Sequence, residues 1–196
     1  MDVKVNSPEL LAMEIKKAHR WEVIVSSVTD PYQPLERRFK LTRQCLKILL
    51  EHQMPVSILT KSSLVLRDMD LLLQFDHCEV GLTITTEKDK IRKLFEPYSS
   101  PIPERIKALE TLRSHGVRTY AFIGPILPQN PEELAAQLLG VVDFVYIDRM
   151  NYWRKVISLY RRNELEFGLE PNYFDHISQR LRKIFIGEGV EVRIIF

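Results

Sequence analysis

Three polar clusters close successive strand-like runs of this 196-residue chain: Thr29-Asp30-Pro31, Thr60-Lys61-Ser62, and Thr83-Ile84-Thr85-Thr86. Parallel α/β sheets bind small molecules beyond the carboxyl ends of their strands. Laid side by side, the three runs bring Asp30, Lys61 and Thr85 to one rim. An acid, an amine and several hydroxyls in one crevice suit a zwitterionic or sugar-bearing ligand.

Each residue also has a plainer reading. Asp30 begins Asp-Pro-Tyr-Gln-Pro, where an aspartate accepts backbone N–H groups in an Asx turn. The two prolines are expected to fix Tyr32 and Gln33 over the rim. Lysines are mostly solvated, but Lys61 sits between a strand and a helix cap, where its ammonium can meet a carboxylate or phosphate. Thr83 and Thr85 share one strand face and are good β-formers, and Thr86 suits a helix cap. Glu96 and Arg105 flank a proline-rich link, and a surface salt bridge across it would contribute only about 0–1 kcal/mol. Asp148-Arg149 closes a later strand as a rim pair or a cap. Tyr152-Trp153-Arg154-Lys155, continued by Tyr160-Arg161-Arg162, can meet a nucleic-acid backbone or form a solvated amphipathic helix.

Several chemistries find no pattern here. The five histidines, among them His52, His77 and His115, show no metal spacing, and with 7 glycines there is no phosphate-binding loop or nucleophile elbow. Cys45 and Cys78 form no C-x-x-C pair and read as buried free thiols of a reducing compartment. The composition, 45 % apolar and 28 % charged with a net charge of +2, is that of a globular protein and leaves a nucleic-acid partner open without supporting it. No apolar run reaches the ~18 residues of a membrane span, and no secretory signal opens the chain. A cytoplasmic protein without membrane attachment is expected.

The positioning elements alternate. Helices are expected over 8–19, 37–52, 62–74, 87–94, 106–114, 131–141, 152–163 and 172–186, with Ser7, Ser62 or Ser63, and Asn130 as caps and His115-Gly116 as a stop. Strands are expected over 22–28, 55–59, 79–84, 117–123, 142–147 and 190–196. No linker or repeat interrupts the order, so residues 1–196 read as one domain. Helices between strands demand parallel pairing and right-handed crossovers, which wind an open or partial barrel. A helix-first array leaves its opening strand unpaired along one edge, as though a preceding strand were missing.

The order of short motifs is more specific. Val-Thr-Asp-Pro-Tyr-Gln-Pro-Leu-Glu (28–36), Leu-Thr-Arg (41–43), Ser-Ile-Leu-Thr-Lys-Ser (57–62), Leu-Arg-Asp (66–68), Thr-Ile-Thr-Thr (83–86) and Leu-Phe-Glu-Pro (94–97) resemble radical S-adenosylmethionine proteins of the spore photoproduct lyase-like (DNA repair photolyase-like) group, from Val3 to about residue 150. The resemblance implies a partial (β/α)6 TIM-like barrel lacking its first strand. It also implies S-adenosylmethionine, a [4Fe–4S] cluster, and hydrogen abstraction by a 5′-deoxyadenosyl radical. By position, Thr29 and Asp30 face the methionine end of that cofactor, Lys61 with Ser62 lies near its carboxylate, and Thr83 and Thr85 lie near the ribose. Gly124-Pro125 and Asp148 match later rim positions.

One element of the family pattern is missing. Its C-x-x-x-C-x-x-C loop does not occur in this sequence, and two distant cysteines cannot hold a cluster. The expectation is an N-terminally truncated radical S-adenosylmethionine protein, inactive alone unless a separate polypeptide supplies the cysteines. Two other readings stay open: a cluster-free S-adenosylmethionine-binding or scaffolding module, and an unrelated half-barrel enzyme using Asp30 and Lys61 as acid and base.

Overall fold

The computed structural model describes residues 3–17, 21–25, 28–150 and 153–195. Among them, six strands form one all-parallel sheet in sequence order: β1 Val23–Val25, β2 Val56–Thr60, β3 Cys78–Thr83, β4 Arg118–Ile123, β5 Phe144–Ile147 and β6 Glu191–Ile194. All six expected strands are present. Sequential order with crossovers of one hand places every covering helix on the same side of the sheet. A partial barrel is built this way, whereas a doubly wound sheet carries helices on both faces.

The alternation of strand residues follows from that asymmetry. Val56, Ile58, Val80, Leu82, Ala121, Ile123, Val145 and Ile147 turn to the helices and join one core. They meet Leu46 and Leu49 from α3 (Leu41–Glu51), Leu109 and Leu112 from α6 (Ile102–Ser114), Leu134 and Leu138 from α7 (Pro131–Leu138), and Leu181 and Phe185 from α9 (Tyr173–Gly187). Burying each such side chain stabilises the fold by about 1.5–3 kcal/mol. The remaining described helices are α1 Ser7–Glu14, α2 Glu36–Phe39, α4 Met69–Leu72, α5 Asp89–Phe95 and α8 Trp153–Arg162.

The opposite face carries an aromatic layer. Tyr120 stacks on Phe144 at 4.9 Å between ring centroids, and Tyr146 meets both edge-on. The Arg193 guanidinium lies 4.0 Å and that of Arg118 4.8 Å from the centre of the Phe144 ring. Gly81, paired with Tyr120 across the β3–β4 ladder, makes room for that ring. A Cβ there would sit 2.1 Å from it. The Tyr120 hydroxyl donates to the Ile58 carbonyl at 3.2 Å, and burial pushes its pKa up to about 12.

Several expectations change in detail. The helix expected over 37–52 is two helices, because Lys40 adopts a left-handed φ of 52° between α2 and α3. The segment after Ser62 is a 3-10 helix, Ser63–Asp68, before the single turn of α4. Ser62 caps it through the Leu64 N–H, and Asn130 caps α7 by accepting from Glu132 and Glu133 N–H. The Thr86 hydroxyl does not cap α5; it accepts from Lys88 N–H and donates to the Pro128 carbonyl. Both cysteines are half-buried rather than buried. Burial, reinforced by Glu79, raises the Cys78 thiol to about 12. Parts of expected elements at 18–19, 26–27, 152 and 196 lie outside the described residues.

Replacing Gly81 by Ala should displace the Tyr120 ring and destabilise the protein by roughly 1–3 kcal/mol. Urea denaturation followed by circular dichroism measures this, and an unchanged midpoint would show the ring to be mobile.

Candidate functional site

The loops after β1 and β2 are stitched together by Asp30. Its carboxylate accepts from Tyr32 N–H at 2.8 Å, from the Thr60 hydroxyl at 2.6 Å and from Lys61 N–H at 2.6 Å. The expected Asx turn therefore forms, and the same side chain bridges two strand ends. Thr60 passes the connection on by accepting from Ser62 N–H. Thr29 is exposed beside this stitch.

Lys61 turns elsewhere. Its ammonium lies 3.5 Å from Glu96, which also pairs with Arg105 at 2.8 Å. The direct Asp30–Lys61 acid–base couple is not formed, because the Asp30 carboxylate is committed to backbone and hydroxyl donors. Arg105 has no exposure at all, so its pairing with Glu96 is buried rather than the expected surface bridge. Burial lowers the Arg105 pKa, and the adjacent Glu96 carboxylate opposes that shift. Its guanidinium also donates to the carbonyls of Thr83 (2.6 Å) and Ser100 (2.7 Å) and to the Ser99 hydroxyl.

A second guanidinium holds the same loop. Arg92 donates to the carbonyls of Glu96 and Ser99, both at 3.2 Å, and pairs with Asp89. Asp89 in turn accepts the Ile102 N–H at the start of α6. Ser100 N–H donates to the Lys61 carbonyl. Residues 96–100 are thus fixed to the sheet rim by cations with almost no solvent access.

Of the six expected site residues, Asp30, Lys61 and Ser62 line one cleft of about 790 Å³ at the rim of β1–β3. Gln33 lines it as expected, whereas Tyr32 reaches it with only 2 % of its surface exposed. Burial and the neighbouring Asp68 carboxylate raise the Tyr32 phenol. Thr83 and Thr85 are buried one strand away and do not line the cleft. Thr83 connects to it through its carbonyl and Arg105. The Thr85 hydroxyl is buried without a partner among the described residues. Such an orphan costs free energy unless a ligand or water meets it. Gly124 lies against Asp148, whose carboxyl is raised by burial.

Sequence reading missed how many motif residues serve a scaffold beside the cleft. Glu36 accepts from Thr42 and Arg43 N–H and pairs with Arg67. The fully buried Asp68 pairs with both Arg43 and Arg67. The signal was present as recurring Arg and Asp in Leu-Thr-Arg and Leu-Arg-Asp, but the pairs that join separate elements, Arg43–Asp68 and Glu36–Arg67, lie 25 and 31 residues apart and leave no local pattern. Tyr98 and Arg37, which line the outer cleft, carry no motif either.

The Lys61 ammonium at the rim fits a ligand that carries a carboxylate, whereas the unpartnered Thr85 hydroxyl lies outside the cleft. Among the described residues no group of three His, Cys, Asp or Glu side chains could hold a metal ion. Cys45 on α3 and Cys78 on β3 do not supply a ligand set for a cluster.

Changing Arg105 to Met should leave the Thr83 and Ser100 carbonyls without this donor and Glu96 with only Lys61, costing about 3–5 kcal/mol. A loss under 1 kcal/mol on chemical denaturation would mean that the loop is held by other contacts.

The chain resembles known proteins along most of its length. An uncharacterized protein of Methanocaldococcus jannaschii is 41 % identical over 174 residues, which span 87 % of this chain and 62 % of that protein. A radical SAM Nalpha-GlyT isomerase of Pseudomonas phage M6 is 25 % identical over 103 residues, 53 % of this chain and 22 % of its own. Among solved structures, spore photoproduct lyase with a dinucleoside spore photoproduct superposes with a TM-score of 0.68 at 13 % identity, covering 96 % of this chain and 68 % of that one. SuiB of Streptococcus suis bound to S-adenosylmethionine gives 0.61 at 13 % identity, covering 97 % and 40 %. These likenesses support the partial-barrel fold. The family model described as the Radical SAM superfamily matches residues 2–139, and the chain belongs to that superfamily.

Proposed function

We propose that this chain provides the S-adenosylmethionine-binding face of a radical S-adenosylmethionine protein related to spore photoproduct lyase. The observation that carries the reading is the rim of β1–β3, where Asp30, Lys61 and Ser62 meet in one cleft of a chain that belongs to this superfamily. In such proteins, cofactor bound at a reduced cluster supplies a radical that abstracts hydrogen from substrate.

The roles follow from the contacts. Lys61, held near Glu96 rather than buried against it, keeps N–H donors for a ligand carboxylate. Ser62 offers a hydroxyl at the same rim. Asp30 acts as a positioning residue that sets the Lys61 backbone. Thr83 and Thr85 are buried behind the rim, where Thr83 acts through its carbonyl by anchoring Arg105. The cluster ligands come from another polypeptide segment, because the described residues offer no set of three. A cluster-free binding module is the second reading, favoured by that same absence of ligands.

Isothermal titration with S-adenosylmethionine tests the binding face. Binding is expected, and Lys61→Ala should weaken it by roughly 10- to 100-fold, the equivalent of one charged hydrogen bond of about 1.5–3 kcal/mol. Absence of heat and of a thermal shift with folded protein would refute it. Anaerobic reconstitution of the 196-residue chain with iron and sulfide should leave no stoichiometric [4Fe–4S] absorbance. A full cluster in this chain alone would show that a set of ligands has been overlooked.

A further inference from the structure

We propose that the outer lip of the β1–β3 cleft, formed by Arg37 and Tyr98, binds an aromatic ring carrying an anionic group as the substrate side of this site. The inference rests on the reading above for the word substrate, but the binding itself does not. Its basis is the charge and rigidity of the lip.

The acids of the cleft are already consumed. Asp30 accepts three hydrogen bonds from its own chain, and Glu96 is shared between Arg105 and Lys61. Arg37 also lines the cleft, is exposed, and has no ion pair or side-chain hydrogen bond among the described residues. With Asp30 and Glu96 set against Arg37, Lys61 and the buried Arg105, one cation is in excess, and an apolar-walled cleft so charged favours an anion.

S-adenosylmethionine does not use this charge up. It carries a sulfonium, an ammonium and a single carboxylate, so its net charge is positive. Lys61 can take that carboxylate. Arg37 then faces a ligand of the opposite kind.

Tyr98 gives the ligand its shape. It is 93 % exposed, yet its loop is held by Arg92 and Arg105, whose side chains are 6 % and 0 % exposed. Order of this kind is uncommon at an exposed loop tip. A rigid loop that displays an uncovered ring offers a stacking face at little entropic cost. Pro34, Leu64, Phe95 and Pro97 continue the apolar wall.

Titrations followed by NMR test this with phenyl phosphate, benzoate, inorganic phosphate and phenol. Phenyl phosphate, benzoate or both should bind at least tenfold more tightly than phosphate or phenol alone, about 1.4 kcal/mol. Binding of phenyl phosphate alone assigns a phosphate-bearing ligand, and binding of both assigns any aromatic anion. Arg37→Ala and Tyr98→Ala should each weaken that binding about tenfold while S-adenosylmethionine affinity stays within twofold. Equal binding by ring and anion alone, or variants that bind like the parent, would overturn the proposal. Loss of S-adenosylmethionine binding with aromatic-anion binding intact would refute only the cofactor reading.

Discussion

A guanidinium with no access to water must have every donor answered, because a buried unpaired charge costs several kcal/mol. Arg105 answers four of its five N–H groups with a sheet-end carbonyl, a loop carbonyl, a loop hydroxyl and one carboxylate. The consequence reaches outward. The end of β3, the 96–100 loop and the Lys61 ammonium share one connected arrangement, so the cleft wall and the sheet move together. A hydrophobic residue at 105 could fill the space but could not bind these three parts to one another.

The one-sided layering of helices has a related effect. Strand residues facing α3, α6, α7 and α9 make a conventional apolar core, while the other face relies on rings and cations. Tyr120 over Gly81 and two guanidiniums beside Phe144 close the lower part of that face without a second helical layer. The cleft accordingly lies at the rim, where strand ends and their loops supply polar groups.

Much of this was legible in the sequence. Alternating strands and helices, the Asn130 cap and the His115-Gly116 stop follow from local propensity and were read in place. Asp30 and Lys61 were recognised as neighbours because each closes a parallel strand. What stayed hidden depends on long-range pairing. The Asp68–Arg43 contact joins residues with no shared periodicity, the burial of the expected Arg105–Glu96 pair depends on how the loop folds over the sheet end, and the Lys40 break turns on a single left-handed dihedral. Thr83 and Thr85 were expected at the rim, yet β3 ends at Thr83 with both side chains buried, a depth that alternation along the sequence does not reveal.

The triple acceptance by Asp30 bears on how any mutational scan of this family should be interpreted. Neutralising that side chain would free the β1 end from the β2 end and shift the Lys61 main chain with it. Any property lost in such a variant would report a displaced scaffold, because this carboxylate is a clasp between two loops.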